Sequence, residues 1–344
     1  MTAPLLRAPV GVRRAGAADR ARIDAFVRAH PQATPFHLPA WGEAVEAGCG
    51  QRAITLLAER ADGTLAGVLP LTHVRSPLFG QALVSSGFAV DGGALGEADA
   101  LAAGAAALAA EMGCPAVELR GGPAPAGWRV DDATYLGFAR ALAADDAAEL
   151  LAIPRKQRAE VRKALATDLT VEIGRDADAH HRVYAESVRN LGTPVFPRGL
   201  FRAVLSTMDA DVLTVRHRGR AVASVLSLYW RGTVYPYWGG GTHAARALRA
   251  NDRMYIALMA HARARGCTRF DFGRSKAGTG AAAFKKNWGF EPRPLSYASW
   301  SAGTGAERAV NPLNPKYAVM VRTWRRLPLP VANAIGPWIS RGLG

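Results

Sequence analysis

Residues 270–290 read FDFGRSKAGTGAAAFKKNWGF, and the fold follows from how this stretch divides. Residues 268–272 (TRFDF) alternate side chains as a strand does, and the glycines and serine after them stop it. A helix then begins near Ala281, carries Phe284, Lys285, Lys286 and Trp288, and ends at Gly289. The product is a strand, a polar glycine-rich loop and a short basic helix. Loops at such strand ends can turn backbone N–H groups toward a ligand oxygen. Phe270, Phe272, Phe284 and Trp288 fall on inward positions and read as core, while Asp271 points away from it. Arg274, Ser275 and Lys276 sit where the strand has ended. Spacing alone leaves two readings open: a basic surface loop without a ligand, and a loop that carries a site.

Working outward, a helix over 252–265 leads into this strand, and before it come a strand over 233–238 and a break at Gly239–Gly241. Residues 212–217 and 221–230 form a hairpin turning at Arg218-Gly219. The first half repeats that order. A strand at 10–14, a helix at 17–29 and a second helix around Trp41 precede a hairpin of 52–59 and 65–74 turning at Asp62-Gly63. A glycine-punctuated loop and strand (76–93), a helix (97–113) and a strand (116–120) follow, and a strand at 135–141 closes the half. Residues 65–73 (LAGVLPLTH) lie over 221–229 (AVASVLSLY). The expectation is an α/β (α+β) protein made of two copies of one unit with mixed central sheets, spanning 1–145 and 146–300, with a basic tail at 301–344.

Lys and Arg number 43 against 28 Asp and Glu, a net charge of +15. Such an excess points to an anionic partner, among them RNA, phospholipid headgroups, a lipid-linked pyrophosphate or an acidic sugar; a coding bias toward arginine is the other source. The three cysteines, Cys49, Cys114 and Cys267, are isolated, so neither a zinc site nor a disulfide framework is expected, and a reducing compartment is the simplest reading. The N-terminus has too few apolar residues for a secretory segment, and the longest uncharged helical run, 100–110, is about half of a membrane span. The chain reads as cytoplasmic.

The pattern G-R-S-x-x-G-T-G-x-x-x-F-K-x-x-W-G over 273–289, with the long stretch 251–266 before it, resembles the C-terminal motif of the FemAB-like acyltransferases. RNLGTPVFPRGLF (189–201) and YPYWGGGTHAAR (235–246) resemble further segments of that family, closest to its members associated with PEP-CTERM and exosortase exopolysaccharide systems. The resemblance implies tandem domains of the GNAT (N-acetyltransferase) type, and a relation to the aminoacyl-tRNA-dependent enzymes that extend peptidoglycan precursors. It also implies that F-H-x-x-x-W, with His37, is structural. An ordinary GNAT enzyme seats the coenzyme A pyrophosphate on R/Q-x-x-G-x-G/A at the start of its central helix. Here the corresponding residues are RALRANDR (246–253), without glycine, and Asn251 or Asp252 is expected to cap the helix itself. A carboxylate there repels a pyrophosphate, which makes acetyl-CoA the weaker donor.

No Ser-His-Asp, Cys-His or metal spacing can be read, so direct attack by an acceptor amine in a ternary complex is expected. The candidate catalytic residues are Lys285, Asp271 as a base, and Tyr237. Substrate contacts are expected from Arg274, Ser275, Lys276, Lys286, Tyr235 and Trp238, with a core or rim role as the alternative for the aromatic residues. The resemblance adds Arg189 and Asn190 before Gly192-Thr193-Pro194 for the acceptor, and Lys285 through the family's recurrent F-K pair. Residues 153–168 (IPRKQRAEVRKALATD) predict a helix opened by Pro154, with Val161 and Leu165 as its apolar stripe. Its Arg155, Lys156, Arg158, Arg162 and Lys163 form either a solvated face or a phosphate-binding one for tRNA or a lipid-linked precursor. Residues 311–344 combine Trp324, Arg325, Arg326 and Leu327 with PLPVANAIGPW (328–338), which suits either an anionic membrane surface on the inner membrane or packing over the second domain.

The expected activity is transfer of an acyl or aminoacyl group to an amine of a cell-envelope, peptidoglycan or exopolysaccharide precursor. The donor is an aminoacyl-tRNA or an acyl-CoA, and no tightly bound cofactor is expected. Two alternatives are an acetyl-CoA-dependent acetyltransferase of exopolysaccharide synthesis, and a non-catalytic RNA- or lipid-binding protein.

Overall fold

A computed structural model describes residues 10–303 and 315–344, so part of the tail reading, residues 311–314, lies outside the described residues. The chain divides into two units, one of Met1–Asp131, Ser296–Ala309 and Gly342–Gly344, the other of Asp132–Leu295 and Val310–Arg341. The first unit runs β1 (Val10–Arg14), α1 (Arg20–Ala29), α2 (Pro39–Cys49), β2 (Arg52–Arg60), β3 (Leu65–Ser76), β4 (Gly80–Ser85), β5 (Leu95–Gly96), α3 (Ala98–Glu111), β6 (Ala116–Arg120) and β7 (Arg129–Asp131). The second runs β8 (Tyr135–Ala141), α4 (Asp146–Ala152), α5 (Arg155–Leu165), β9 (Leu169–Gly174), α6 (Ala177–Leu191), α7 (Arg198–Thr207), β10 (Ala210–His217), β11 (Arg220–Trp230), β12 (Thr233–Gly241), α8 (His243–Leu248), α9 (Ala250–Ala264), β13 (Arg269–Lys276), α10 (Gly280–Asn287) and β14 (Pro292–Pro294). Then come β15 (Tyr297–Ser301), α11 (Pro315–Arg326) and α12 (Leu329–Ser340).

Both units carry a mixed sheet of one design. The first has the order β1-β2-β3-β4-β6-β15-β7, with β5 added beside β3; the second has β9-β10-β11-β12-β13-β8-β14. In each, three antiparallel pairings lead to one parallel pair, β4 with β6 and β12 with β13, joined through a helix, α3 or α9. The helix in each crossover is what a parallel connection requires. α3 is built largely of alanine and turns Leu101, Ala102, Ala105 and Leu108 into the first core; α9 turns Met254, Leu258, Met259 and Ala262 into the second.

The sixth place in each sheet departs from the sequence expectation. The strand at 135–141, expected to close the first half, is β8, and it pairs with β13 and β14 of the second sheet. Its counterpart in the first sheet is β15, which arrives after the whole of the second unit and pairs with β6 and β7. A division at residue 145 would therefore remove β8 from its sheet, and the segment after 300 is divided between the two units. Local alternation marks 135–141 as a strand but says nothing about which sheet receives it.

A buried ionic cluster fastens β8 and α4. Glu149 of α4 is fully buried, accepts from Arg140 of β8 and from the Ala143 backbone at 2.8 Å, and lies 3.3 Å from Arg263 of α9. In the first unit His37 bridges Thr34 and the Gly93 carbonyl at 3.1 Å, and burial pushes its imidazole down to about 4, so it is neutral and structural. Glu149→Ala should destabilise the second unit by about 3–5 kcal/mol, because Arg140 and Arg263 lose their shared counter-charge. Glu111→Ala, which breaks an exposed pair with Arg14, should cost less than about 1 kcal/mol. Chemical denaturation compares the two, and equal shifts would contradict the role given to Glu149.

Candidate functional site

The ladder between β12 and β13 consists of two pairs, Thr233 with Arg269 and Val234 with Phe270, yet the strands run on to Gly241 and Lys276. They diverge, and both are bulged where they do so. On β12 the register with β11 passes from Trp238 to Pro236 and leaves Tyr237 as the extra residue. On β13 the register with β8 passes from Asp271–Ala139 to Arg274–Gly137, so Phe272 and Gly273 face a single residue. Gly273 takes φ +67, and its N–H donates to Asp271 Oδ1 at 2.9 Å. A bulge adds twist and bends the strand that carries it, which is how one sheet opens a wedge between two of its own members.

Two sequence expectations are corrected here. Gly273 does not end the strand, because a glycine with positive φ accommodates a bulge; Arg274, Ser275 and Lys276 lie on β13, paired with Gly137, Leu136 and Tyr135. Gly239, Gly240 and Gly241 are likewise not a break but the end of β12. A Cβ on Gly240 would stand 2.3 Å from Ser187 Oγ of α6, and one on Gly241 2.7 Å from Asn251 Oδ1 of α9. The three glycines let helices close on both faces of the strand.

α10 supplies the lysine. Thr279 caps it, accepting from the Ala282 N–H, and Phe284 and Trp288 pack into the aromatic cluster of Tyr255, Phe270, Phe272 and Phe290. Lys285 Nζ then reaches the bulge, donating to the carbonyls of Gly273 at 3.2 Å and Arg274 at 2.9 Å. It lies 5.3 Å from the ring centre of Phe138 and 5.5 Å from that of Phe272. Burial pushes its ammonium down to about 7; Asp271 opposes that shift and Arg274 adds to it. Burial also raises the Asp271 carboxyl, against the Gly273 N–H that stabilises its ionised form. At neutral pH a substantial share of Lys285 is uncharged, with both N–H bonds engaged by carbonyls and a lone pair left as a proton acceptor.

The other predicted residues fall in several places. Ser275 is buried, and its Oγ has no hydrogen-bond partner among the described residues. Arg274 and Lys276 stack over Tyr135, at 4.7 and 5.5 Å from its ring centre. Lys286 is exposed. Trp238 is core, packed on Phe201 and Phe196, whereas Tyr235 and Tyr237 are half-buried. Arg189 ends α6 and donates to the Arg325 carbonyl of α11 at 3.2 Å; Asn190 beside it is half-buried. On α5, Arg155, Lys156, Arg162 and Lys163 are exposed and Arg158 donates to the Ile153 carbonyl. The buried stripe of α5 is Val161 and Ala164, not Val161 and Leu165, which is exposed. The opening of α5 meets the end of the site stretch, since a Cβ on Gly289 would lie 3.1 Å from Pro154.

The start of α9 is closed by α5. Gln157 donates to Asp252 Oδ1 at 2.6 Å, and Arg249, in the left-handed region at φ +53, pairs with Glu160 at 2.5 Å. Neither Asn251 nor Asp252 caps the helix: the Asn251 Oδ1 is buried without a hydrogen-bond partner among the described residues, and Asp252 is held by α5. Burial raises Asp252 to about 6, with Gln157 opposing, so it is mainly ionised at pH 7. Sequence reasoning missed Tyr184 of α6 and Tyr255 of α9, whose phenols burial holds well above their ordinary range and therefore protonated. Tyr255 Oη would lie 3.0 Å from a Cβ on Gly239, and Tyr184 borders Gly240. Gly239–Gly241 was the available signal, since consecutive strand glycines mark groups that approach closely.

Residues 154–286, within the second unit, match the family model described as Acetyltransferase (GNAT) domain, which supports an acyltransferase. No curated protein matches the chain. Among solved structures, FemX aligns with a TM-score of 0.64 at 16% identity, covering 83% of this chain and 96% of its own. The C-terminal domain of a putative lysylphosphatidylglycerol synthetase from Agrobacterium fabrum aligns at 0.56 and 15% identity, covering 89% and 96%. A tandem GNAT protein from the clavulanic acid biosynthesis pathway aligns at 0.55 and 13% identity, covering 87% and 100%. These likenesses establish the fold as tandem GNAT.

The lowered Lys285 value has a consequence for stability. The unfolded chain holds that proton up to the ordinary lysine range, so stability from this group is present at high pH and is lost as pH falls through about 7. Lys285→Met should therefore be more stable than the parent at pH 6, and the difference should shrink toward pH 10. NMR of the lysine side chains should show one group titrating near 7. A Lys285 that titrates with the surface lysines would rule out this account of its environment.

Proposed function

We propose that this protein transfers an acyl group from an activated carrier to an amine within one ternary complex, at the wedge between β12 and β13. The observation that carries this is Lys285, uncharged in part at neutral pH and fixed by two bulge carbonyls where the strands part. The acceptor nitrogen attacks the acyl carbonyl, and the N–C bond forms as Lys285 takes the proton of that nitrogen. The bond from the acyl carbon to the carrier oxygen or sulfur then breaks, and the proton returns from Lys285 to the leaving atom. Asp271 beside the bulge favours the charged lysine formed midway. Tyr237, at the β12 bulge, and Tyr255, protonated across the wedge, are the groups we assign to polarising the carbonyl oxygen.

For the donor we favour an aminoacyl-tRNA. A helix N-terminus attracts a pyrophosphate, but at α9 that position holds an ionised Asp252 and is covered by Gln157, Arg249 and Glu160. The exposed cations of α5 next to the site stretch suit an extended phosphate backbone. Acetyl-CoA is the second reading, favoured by the family model matched over 154–286. The acceptor we propose is an amine of a cell-envelope, peptidoglycan or exopolysaccharide precursor. Support comes from the FemAB-like motifs and the tandem fold shared with FemX; the PEP-CTERM and exosortase setting rests on the motifs alone.

Purified protein incubated with an amine acceptor and either aminoacyl-tRNA or acetyl-CoA should release deacylated tRNA or free thiol, respectively, along with the amide. Lys285→Met should lower kcat by about 10²–10⁴-fold, and kcat should rise with pH through about 7 in the parent but not in the variant. Asp252→Asn should keep that pH dependence. Full activity in Lys285→Met would overturn the assignment.

A further inference from the structure

α12 is patterned inside out. Its face toward the second unit is made of small residues four apart, Ala332, Gly336 and Ser340, all buried. A Cβ on Gly336 would stand 3.2 Å from the Val195 backbone nitrogen, and Ser340 Oγ donates to the Val195 carbonyl at 2.8 Å. Its outward face carries Val331, Ile335 and Trp338, which are 45%, 41% and 47% exposed. A helix that serves only the protein core does the reverse, burying its large apolar side chains. Small residues at four-residue spacing that admit a close neighbour, with bulky apolar residues turned out, are the pattern of helices packed within lipid.

α11 lies on the same helix, α6, as α12 does. Its Val321 packs at Gly192, and its opposite face presents Val319, Arg322 and Arg326, all exposed, with Met320 at the flank. In sequence, residues 308–344 contain no Asp or Glu. The outward surface of the pair is thus apolar and cationic, with no negative charge to oppose an anionic surface. Among the described residues no helix is long and apolar enough to cross a membrane, and the 12 residues of α12 extend only about 18 Å. A helix of this kind lies in the plane of the interface with its apolar side in the headgroup region.

We infer that α11 and α12 form a docking surface for anionic phospholipid, with Val331, Ile335 and Trp338 entering the headgroup layer and Arg322 and Arg326 pairing with lipid phosphates. This goes beyond the proposed reaction and does not depend on it. The experiment is co-sedimentation of the full chain with vesicles of phosphatidylcholine alone or mixed with phosphatidylglycerol. The parent should bind the mixed vesicles and release them as salt is raised. Arg322→Glu with Arg326→Glu should bind at least about tenfold more weakly, each reversed charge removing an attraction and adding a repulsion. Ile335→Asp with Trp338→Asp should lose binding while keeping the far-UV spectrum and melting temperature, since both side chains face away from the fold. Equal binding to both vesicle types, or variants that sediment like the parent, would overturn the inference. So would a parent dimer by light scattering that Trp338→Asp converts to monomer, because a second copy would then be what covers the face.

Discussion

The contact between one buried amine and two carbonyls of a strand bulge is the constraint on which the rest of the second unit's wedge depends. Lys285 is carried inward by a helix whose Phe284 and Trp288 are committed to the aromatic cluster, and it arrives at a strand already bent by a bulge. The two carbonyls it meets satisfy its N–H bonds but offer no full negative charge. Burial holds the ammonium down to about 7, against the pull of Asp271 and with the repulsion of Arg274. The bulge therefore does two jobs through one backbone distortion: it opens the strands, and it turns the Gly273 and Arg274 carbonyls toward the lysine.

The start of α9 follows from a different balance. Anion seats at helix starts depend on exposed N–H groups and a positive local field. Here α5 occupies the approach with Gln157 and Glu160, and Asp252 adds a negative charge. Arg155, Lys156 and Arg162 are exposed on α5, on the face away from Val161 and Ala164, whereas Lys163 is paired with Glu160. The start of α9 is therefore closed by side chains of α5, while the exposed cations Arg155, Lys156 and Arg162 stand on the flank of α5.

The legible parts of the sequence were those set by local pattern. β1, β6 and β8 have the bounds that alternation gives, and the Phe270, Phe272, Phe284, Trp288 spacing identified the core around the lysine. Glycine was the least legible residue. At Gly273 and at Gly239–Gly241 it suggested interruption, yet in the structure it permits a bulge and two close helices, uses that depend on neighbours absent from the local string. The same limit concealed Tyr184 and Tyr255, which matter only because a glycine strand lies beneath them. The helix α6 over 177–191 carries the ordinary local signals, an Asp176 cap and an amphipathic pattern, and so belongs with the legible parts.

The exchange of β8 and β15 bears on how the chain is made. A ribosome delivers the first unit's strands early, but that sheet lacks the strand between β6 and β7 until residues 297–301 emerge. During synthesis of the entire second unit, the edge of β6 stands open, which is the sort of unpaired edge that recruits foreign strands. The first unit is thus translated first and completed last, its sheet closed only by a strand that follows the second unit's sheet in the chain.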